Sequence, residues 1–250
     1  MTVWIIEPHD PLIVRDGKPF GPNPGARASS LAFPFPSTTT GGVRTRAGLK
    51  AGVFDANSIT IEKVKKIKVK GPLLVQLQPD INTGGIEEWL VPAPLDALLL
   101  DDENTKETVR KQLVPLKREE EMYTDLKELS LVGLQKHDPR KPSKNAPKYW
   151  YWKEFEQWLL TPPQSNGEII IPEKLGHGGP QREYRTHVSI DAEGLVAKEG
   201  ALFQTSGLEF TFASDKEEAL RTAKRLALAM IVENTDKELT IQEGLYACRE

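Results

Sequence analysis

Short apolar segments broken by proline and glycine are the feature that most constrains the fold of this 250-residue chain. The first segment, residues 3–6, predicts a buried strand. Pro8 and Pro11 end it, because proline cannot donate a hydrogen bond to a central ladder. Residues 12–14 are expected to extend the same sheet. The chain therefore enters a stiff, charged turn directly after its first strand.

A helix is predicted after the next proline-rich stretch. Ser37 or Thr38 is its expected N-cap, and the helix is expected to run to about residue 50. Gly41 and Gly42 each weaken such a helix by about 1 kcal/mol relative to alanine. This indicates close approach of another backbone or of a ligand, and packing of the helix on a sheet would explain the glycines equally well.

The remaining segments predict further strands, a short amphipathic helix over residues 152–160 and one long C-terminal helix. A capping-box pattern at residues 214–217 opens that helix, and its apolar stripe extends to Ile231. This mixture predicts an α+β fold, a mainly antiparallel sheet with helices on one face. The predicted strands are residues 67–69, 73–77, 89–92, 95–100, 168–172, 184–190 and 200–212, with turns predicted at residues 70–72 and 191–194.

Composition excludes several classes of protein. The net charge of −3 argues against a polybasic nucleic-acid binder, so any RNA contact must come from local patches. Cys248 is the only cysteine, which excludes an internal disulfide and a cysteine-rich zinc site and fits a cytoplasmic setting. No signal peptide and no membrane span are expected, since no apolar run approaches about 20 residues.

Cationic residues cluster around the first turn and the first predicted helix. The arginine guanidinium is a rigid fork of donors that matches phosphate oxygens, and free amides at residues 39–42 would add to the attraction. Solvated surface charges are the alternative, and spacing alone leaves both open. The residues are Arg15, Lys18, Arg27, Arg44 and Arg46.

A second candidate surface is the basic segment of residues 136–153, which ends in four aromatic residues. Basic charge beside aromatic rings can track a single strand and stack its bases. Alternatively, Trp150 and Trp152 are core anchors and the lysines solubilise a loop. Period-two spacing in a strand places Tyr149 and Tyr151 on the face opposite the tryptophans.

The four histidines do not predict a metal site. His9, His137, His177 and His187 lack the i, i+3 or i, i+4 spacing of a helical ligand pair, and no metal or cofactor is expected. His177, in a glycine-rich loop, is the best candidate for proton transfer in RNA cleavage, although a surface contact explains it as well.

Four motifs together resemble one known family. They are residues 7–20 (EPHDPLIVRDGKPF), 36–46 (PSTTTGGVRTR), 185–191 (RTHVSID) and 199–210 (EGALFQTSGLEF). Each is similar to the family of the third subunit of the Cmr, or type III-B, CRISPR effector complex, a group within the RAMP superfamily.

Two parts of the sequence depart from that family. Residues 101–167 do not align with it, and no glycine-rich element resembling Gly-Gly-Glu-Arg follows Gly207. A truncated, divergent or split form of the family is therefore an open expectation.

The resemblance implies a fold, an activity and partners. The fold is expected to be ferredoxin-like (RRM-like) with insertions, one domain over residues 1–165 and a second, incomplete half over 166–250. The protein is expected to be non-catalytic and to bind the 5′ handle of CRISPR RNA in antiviral defence. Its expected partners are the large polymerase-like subunit and the backbone RAMP subunit.

The same resemblance implies which residues hold RNA. The expected phosphate ligands are Arg15, Lys18, Ser37, Thr38, Arg44 and Arg46, with Gly41 and Gly42 allowing close backbone approach and His187 and Gln204 as further contacts. One alternative is a RAMP endoribonuclease that processes CRISPR RNA with His177 or His9. Another is a structural module that touches no RNA.

Overall fold

The computed structural model divides into two compact units, Met1–Glu87 with Pro180–Glu250 (unit 1) and Glu88–Gly179 (unit 2). Unit 1 is discontinuous because a strand near the C-terminus pairs with strands near the N-terminus. These units do not follow the predicted boundary at residue 165, and the two ferredoxin-like domains stay a prediction. The structure describes residues 2–17, 26–28, 30–79, 85–117, 129–163, 166–210 and 224–233.

The described residues of unit 1 form two helices and most of the long strands. In chain order these are β1 (Thr2–Ile6), β2 (Ala26–Ala28), α1 (Pro36–Ala47), β3 (Leu49–Lys50), β4 (Val53–Phe54), α2 (Ser58–Lys65), β5 (Lys68–Leu77), β15 (Gln181–Ile190), β16 (Ala197–Glu209) and β17 (Leu226–Glu233).

Unit 2 is built from shorter elements, and its first strand begins at the end of unit 1. They are β6 (Ile86–Pro92), β7 (Ala97–Asp101), β8 (Thr108–Gln112), β9 (Val114–Pro115), β10 (Val132–Gly133), β11 (Lys141–Pro142), β12 (Tyr149–Tyr151), α3 (Trp152–Leu160), β13 (Glu168–Ile170), α4 (Pro172–Leu175) and β14 (Gly176–His177).

The core of unit 1 lies between a sheet and its two helices. β17 pairs antiparallel with β1 on one side and β5 on the other, with Thr2 opposite Val232. Alternate residues of a strand face one side of a sheet. Trp4, Met230 and Val232 accordingly share one buried cluster with Val43 of α1 and residues of α2.

The predicted C-terminal helix is wrong over its last turns. Residues 226–233 form strand β17, and residues 211–223 lie outside the described part of the chain. Leu226 to Met230 are all buried, because the strand is covered on both faces. A fully buried strand has a continuous apolar run, which periodicity cannot distinguish from a buried helix.

The two strands predicted over residues 67–77 are one strand, β5. The predicted turn at Gly71 is instead a bulge, where the register of the partner strand shifts between Ala229 and Ile231. Gly71 has a φ of 118°, and a Cβ there would meet the Ala229 carbonyl oxygen at 3.0 Å. Glycine is therefore required both by the backbone angle and by the close approach.

A long hairpin forms the second sheet of unit 1. The predicted strands at residues 184–190 and 200–212 are confirmed over residues 184–190 and 200–209 as β15 and β16, which pair antiparallel. Residues 211 and 212 lie outside the described part of the chain. β2 pairs with β16 in parallel. Residues 12–14 do not extend the sheet of β1 as expected, because Leu12 instead makes an isolated antiparallel bridge to Leu208 of β16.

Unit 2 packs a tryptophan-rich core against short antiparallel sheets. β12 pairs with β6 and β14, while β8 pairs with β7 and β13. The predicted helix over residues 152–160 is confirmed as α3. Its Trp158 packs with Leu99, Trp150 and Leu175 in the core.

The structure thus confirms a mixed, strand-rich fold with few helices and mainly antiparallel sheets. The ferredoxin-like RAMP arrangement within it stays a prediction.

Candidate nucleic-acid interface

A largely apolar groove of about 290 Å³ lies in unit 1, between the segment after β1 and the first half of α1. It brings together Arg15, Thr38 and Gly42, three of the predicted RNA contacts, from two separate motifs. Sequence reasoning missed the apolar walls, since nothing in the spacing shows that these two segments meet. The groove is lined by Ile6, Leu12, Ile13, Val14, Arg15, Pro34, Thr38, Thr39, Gly42, Val43 and Leu228.

Backbone hydrogen bonds hold the segment that carries Arg15. The amide of Leu12 donates to the Leu208 carbonyl at 2.9 Å, and the Leu12 carbonyl accepts from the Leu208 amide at 2.8 Å. Further along, the amide of Val14 donates to the Ser30 hydroxyl oxygen at 3.2 Å. The segment is thus fixed at both ends, and Arg15 follows it as an exposed cation at the edge of the groove.

The first turn of α1 begins earlier than predicted. Phe35 is the N-cap, without a side-chain hydrogen bond, and Pro36 is the first helical residue. Proline favours that position, because it has no amide hydrogen and its φ already suits a helix. The prediction of Ser37 or Thr38 as N-cap is therefore wrong, although both side chains are exposed.

The early start also changes which backbone amides are available. The amides of Thr38 and Thr39 both donate to the Phe35 carbonyl, at 3.0 and 3.3 Å. Residues 40–42 lie inside the helix, where amides donate within the helix. The prediction of free amides at residues 39–42 is therefore wrong.

Gly41 and Gly42 are exposed and face open space. A Cβ added to either would meet no atom within 4 Å. Among the described residues, neither glycine is approached closely by another part of the chain or packs against the sheet, the two explanations that the sequence suggested. The remaining explanation, room for a ligand, still fits Gly42, because this residue lines the groove.

Arg44 has a structural contact that the sequence did not reveal. Its Nη2 donates to the carbonyls of Lys65 at 3.2 Å and Ile67 at 3.1 Å, which ties α1 to the end of α2. Carbonyl oxygens at a helix C-terminus attract cations. Arg46 is half-buried two residues later. Phosphate binding by either arginine stays a prediction, and Lys18 lies outside the described residues.

His187 and Gln204 make contacts across the β15–β16 hairpin. His187 Nε2 lies 3.0 Å from the Thr205 hydroxyl, and its ring stacks on Phe203 with centroids 5.1 Å apart. Gln204 Nε2 donates to the Thr186 hydroxyl at 3.3 Å. Adjacent pairs of an antiparallel ladder face opposite sides. These two predicted contacts therefore lie on opposite faces, and neither is among the groove-lining residues described above.

The two histidines of the endonuclease alternative occupy different settings. His9 is exposed in the segment after β1. In β14, Nδ1 of His177 accepts a hydrogen bond from the Gly179 amide at 2.9 Å, so its neutral form carries the proton on Nε2. Within the described ranges, no group of three or more His, Cys, Asp or Glu residues is arranged to hold a metal ion.

The tryptophans of the basic-aromatic segment have different roles. Trp150 is buried and packs edge-on against Trp158, with ring centroids 5.6 Å apart. The guanidinium of Arg110 lies 5.5 Å from both rings. Trp152 begins α3 and is 47% exposed. The alternative in which both tryptophans are core anchors therefore holds for Trp150 and fails for Trp152, because the strand and its period-two alternation end at Tyr151.

Part of the basic charge in this segment is neutralised within unit 2. The Asp138 carboxylate is buried and lies 2.7 Å from Arg140 and 2.5 Å from Lys111. Hydrogen bonds from Arg140, then from Lys111, hold the pKa of Asp138 well below its usual range. Lys141 pairs with Glu103 at 2.7 Å. At least two cations of the segment thus have partners inside the chain.

None of the helices in the described parts of the chain is long and apolar enough to span a bilayer.

Comparison with known proteins identifies one family over nearly the whole chain. A family model described as CRISPR-associated protein (Cas_Cmr3) matches residues 4–246. None of the curated proteins matches the sequence.

Two solved structures are similar, at low identity. One is a chain of the Type III-B Cmr-beta complex bound to cognate target RNA and AMPPnP, with 13% identity, a TM-score of 0.39 and coverage of 93% of this chain and 54% of that chain. The other is a chain of the same complex bound to cognate target RNA, with 14% identity, a TM-score of 0.39 and coverage of 93% and 55%. The chain thus spans about half the length of these structural relatives.

Proposed function

Because the chain belongs to the Cas_Cmr3 family of CRISPR-associated proteins, we propose that it is a non-catalytic, RNA-binding subunit of a type III-B CRISPR effector complex. In this role it binds the 5′ handle of CRISPR RNA in the cytoplasm, as part of antiviral defence. It contacts the large polymerase-like subunit and the backbone RAMP subunit. Family membership supports the assembly, and the groove of unit 1 supports the RNA contact.

The observation that carries the RNA contact is the position of Arg15, Thr38 and Gly42 on one groove. Single-stranded RNA presents apolar base faces and charged phosphates together. The aliphatic walls of the groove suit the base faces, and the Arg15 guanidinium at its edge suits the phosphates. The exposed Thr38 hydroxyl adds a donor and acceptor for a base edge or a phosphate.

The test replaces Arg15 and measures binding of a single-stranded handle RNA by fluorescence anisotropy. Arg15→Ala is expected to weaken binding about tenfold, the effect of losing one charge-assisted hydrogen bond. It should also make the slope of log K against log salt shallower by about 0.7. Arg15→Lys should keep the slope while losing part of the affinity, because lysine retains the charge but not the fork.

Lys174→Ala is the matched control, since it removes one exposed positive charge from unit 2. Its affinity and salt slope should equal those of the wild type. If Arg15→Ala and Lys174→Ala lose equal RNA affinity, the loss results from the change in net charge. That result would overturn the groove as the RNA site.

Two further assays, one of RNA cleavage and one of RNA crosslinking, separate the two alternatives. Cleavage of the handle RNA, abolished by His177→Ala, would replace the proposal with an endoribonuclease. Absence of any RNA crosslink to the chain in an assembled complex would instead favour a structural module that touches no RNA.

A further inference from the structure

The β15–β16 hairpin ends in a well-defined turn. The amide of Asp191 donates to the Val196 carbonyl at 2.8 Å, and the amide of Leu195 donates to the Asp191 carbonyl at 3.0 Å. The Asp191 carboxylate also accepts from the Gly194 amide at 2.8 Å. The turn is thus closed by its own backbone and one side chain, so the residues around it are presented in a fixed arrangement.

This hairpin tip, residues 188–202, exposes an unusual amount of apolar surface. Its large aliphatic side chains are each at least 46% exposed. Scattered exposed aliphatic residues are normal, but several on one protruding element mark an interaction surface. The residues are Val188, Ile190, Leu195, Val196 and Leu202.

The described parts of the chain leave this tip uncovered. β15 packs mainly on β16. β2 pairs with β16 only over Phe203–Thr205, below the tip. The tip carries no long-range strand pairing beyond the hairpin itself.

The charges and residue types of the tip disfavour RNA as its partner. Three carboxylates, Asp191, Glu193 and Glu199, accompany a single lysine, Lys198. The excess of negative charge repels phosphate. The tip also has no aromatic residue on which a base could stack. A protein surface that is apolar at its centre and basic at its rim complements both features.

We propose that the hairpin tip docks on such a protein surface, supplied by another subunit of the effector complex. The aliphatic side chains form the buried centre of this contact. The carboxylates pair at the rim with lysine or arginine of the partner. The identity of the partner as a complex subunit rests on the proposed function, whereas the site itself is distinct from the groove that holds RNA.

A photocrosslinker at residue 195 tests the nature of the partner. p-Benzoylphenylalanine replaces Leu195 in a complex reconstituted from its subunits and CRISPR RNA. Asn104, exposed at the turn of another hairpin, is the matched control position and sets the background. A crosslink to another protein subunit above that background supports the proposal. A crosslink to RNA or to the same chain, or none above background, overturns it.

The double variant Leu195→Asp, Val196→Asp tests the energetic contribution of the tip. Incorporation into the reconstituted complex should fall at least about tenfold, as for loss of residues at the centre of an interface. The affinity of the isolated variant for handle RNA should stay within about twofold of the wild type, which also shows that it is folded. Normal incorporation would overturn the proposal.

The variant Arg15→Ala distinguishes a failure of the docking proposal from a failure of the proposed RNA binding. It should lose RNA affinity yet enter the complex normally when the other subunits are present. If handle binding proves absent from the wild type but the tip variant still fails to assemble, the docking proposal stands without the RNA function.

Discussion

At the scale of single residues, Arg44 shows how one side chain suits two kinds of oxygen. The donor fork that matches phosphate also matches carbonyl oxygens. In the structure Nη2 of Arg44 donates to the carbonyls of Lys65 and Ile67. The residue type therefore predicts only that Arg44 donates to an oxygen atom. The packing of α1 against α2 shows that carbonyl oxygens of the same chain accept these hydrogen bonds.

Gly42 supports a prediction at the same scale. Gly42→Ala should stabilise the isolated chain by about 1 kcal/mol, because alanine favours the helix and its Cβ meets no atom within 4 Å. It should weaken handle RNA binding about fivefold, because the added methyl group projects into the groove that is proposed to hold the RNA. Urea unfolding and fluorescence anisotropy measure the two effects.

Gly41→Ala is the matched control for this prediction. Gly41 also lies in α1 with open space around it, but it is not among the residues that line the groove. This variant should gain the same stability and keep the wild-type affinity. Equal affinity of both variants would remove Gly42 from the RNA site.

At the scale of elements, β17 is the clearest difference between prediction and structure. A helix was predicted because apolar residues recur through Ile231, and the capping pattern at residues 214–217 reinforced it. The strand pairs with β1 and β5, which are far away in sequence. These pairings decide the conformation, since local propensity is a weak preference that tertiary context overrides.

Two adjacent residues of β17 distinguish a strand from a helix by experiment. Met230 is 1% exposed in the core cluster, whereas Ile231 is half-buried on the opposite face. Met230→Asp should lower the free energy of unfolding by on the order of 4 kcal/mol, because it buries a charge in the core. Ile231→Asp should cost about 1–2 kcal/mol, because water still reaches its position.

Urea denaturation followed by far-UV circular dichroism gives both values. The predicted helix would place both residues on one apolar stripe, so similar losses for the two variants would contradict the strand.

At the scale of the whole molecule, net charge and local charge point in different directions. The chain carries −3 overall, yet the proposed RNA site has Arg15 at its edge and Arg27 exposed on the neighbouring β2. An acidic protein can bind RNA only through such local cations, because its mean field repels phosphate. The acidic hairpin tip is consistent with separate surfaces for RNA and for protein.

Salt dependence tests this separation for the intact chain. With about three phosphate contacts, log K for single-stranded handle RNA should fall with a slope of about −2 against log salt. Affinity should therefore drop about 15-fold between 50 and 200 mM KCl. A handle RNA annealed to its complement should bind more weakly, because the bases are no longer available to the groove. An affinity independent of salt would contradict phosphate binding at this surface.

The candidate site was predictable in its parts but not in its assembly. The motifs at residues 7–20 and 36–46 contain the two segments, and Arg15, Thr38 and Gly42 lie on one groove, whose binding of RNA stays a prediction. Spacing could not show that Leu12 bridges to Leu208, which helps to position the first segment. It also could not show that Pro36 begins α1 and so removes the expected free amides.

The sequence by itself determined the family, the mainly antiparallel mixture of strands and helices, and the β15–β16 hairpin with its turn. These depend on motifs and on neighbouring residues, which carry local conformational preferences. Only the tertiary structure decided that residues 226–233 are a strand, that Arg44 binds carbonyl oxygens, and that two N-terminal segments form a groove. Each of these depends on pairing between distant parts of the chain, such as Thr2 with Val232, and the free energy of such contacts is not encoded in any single segment.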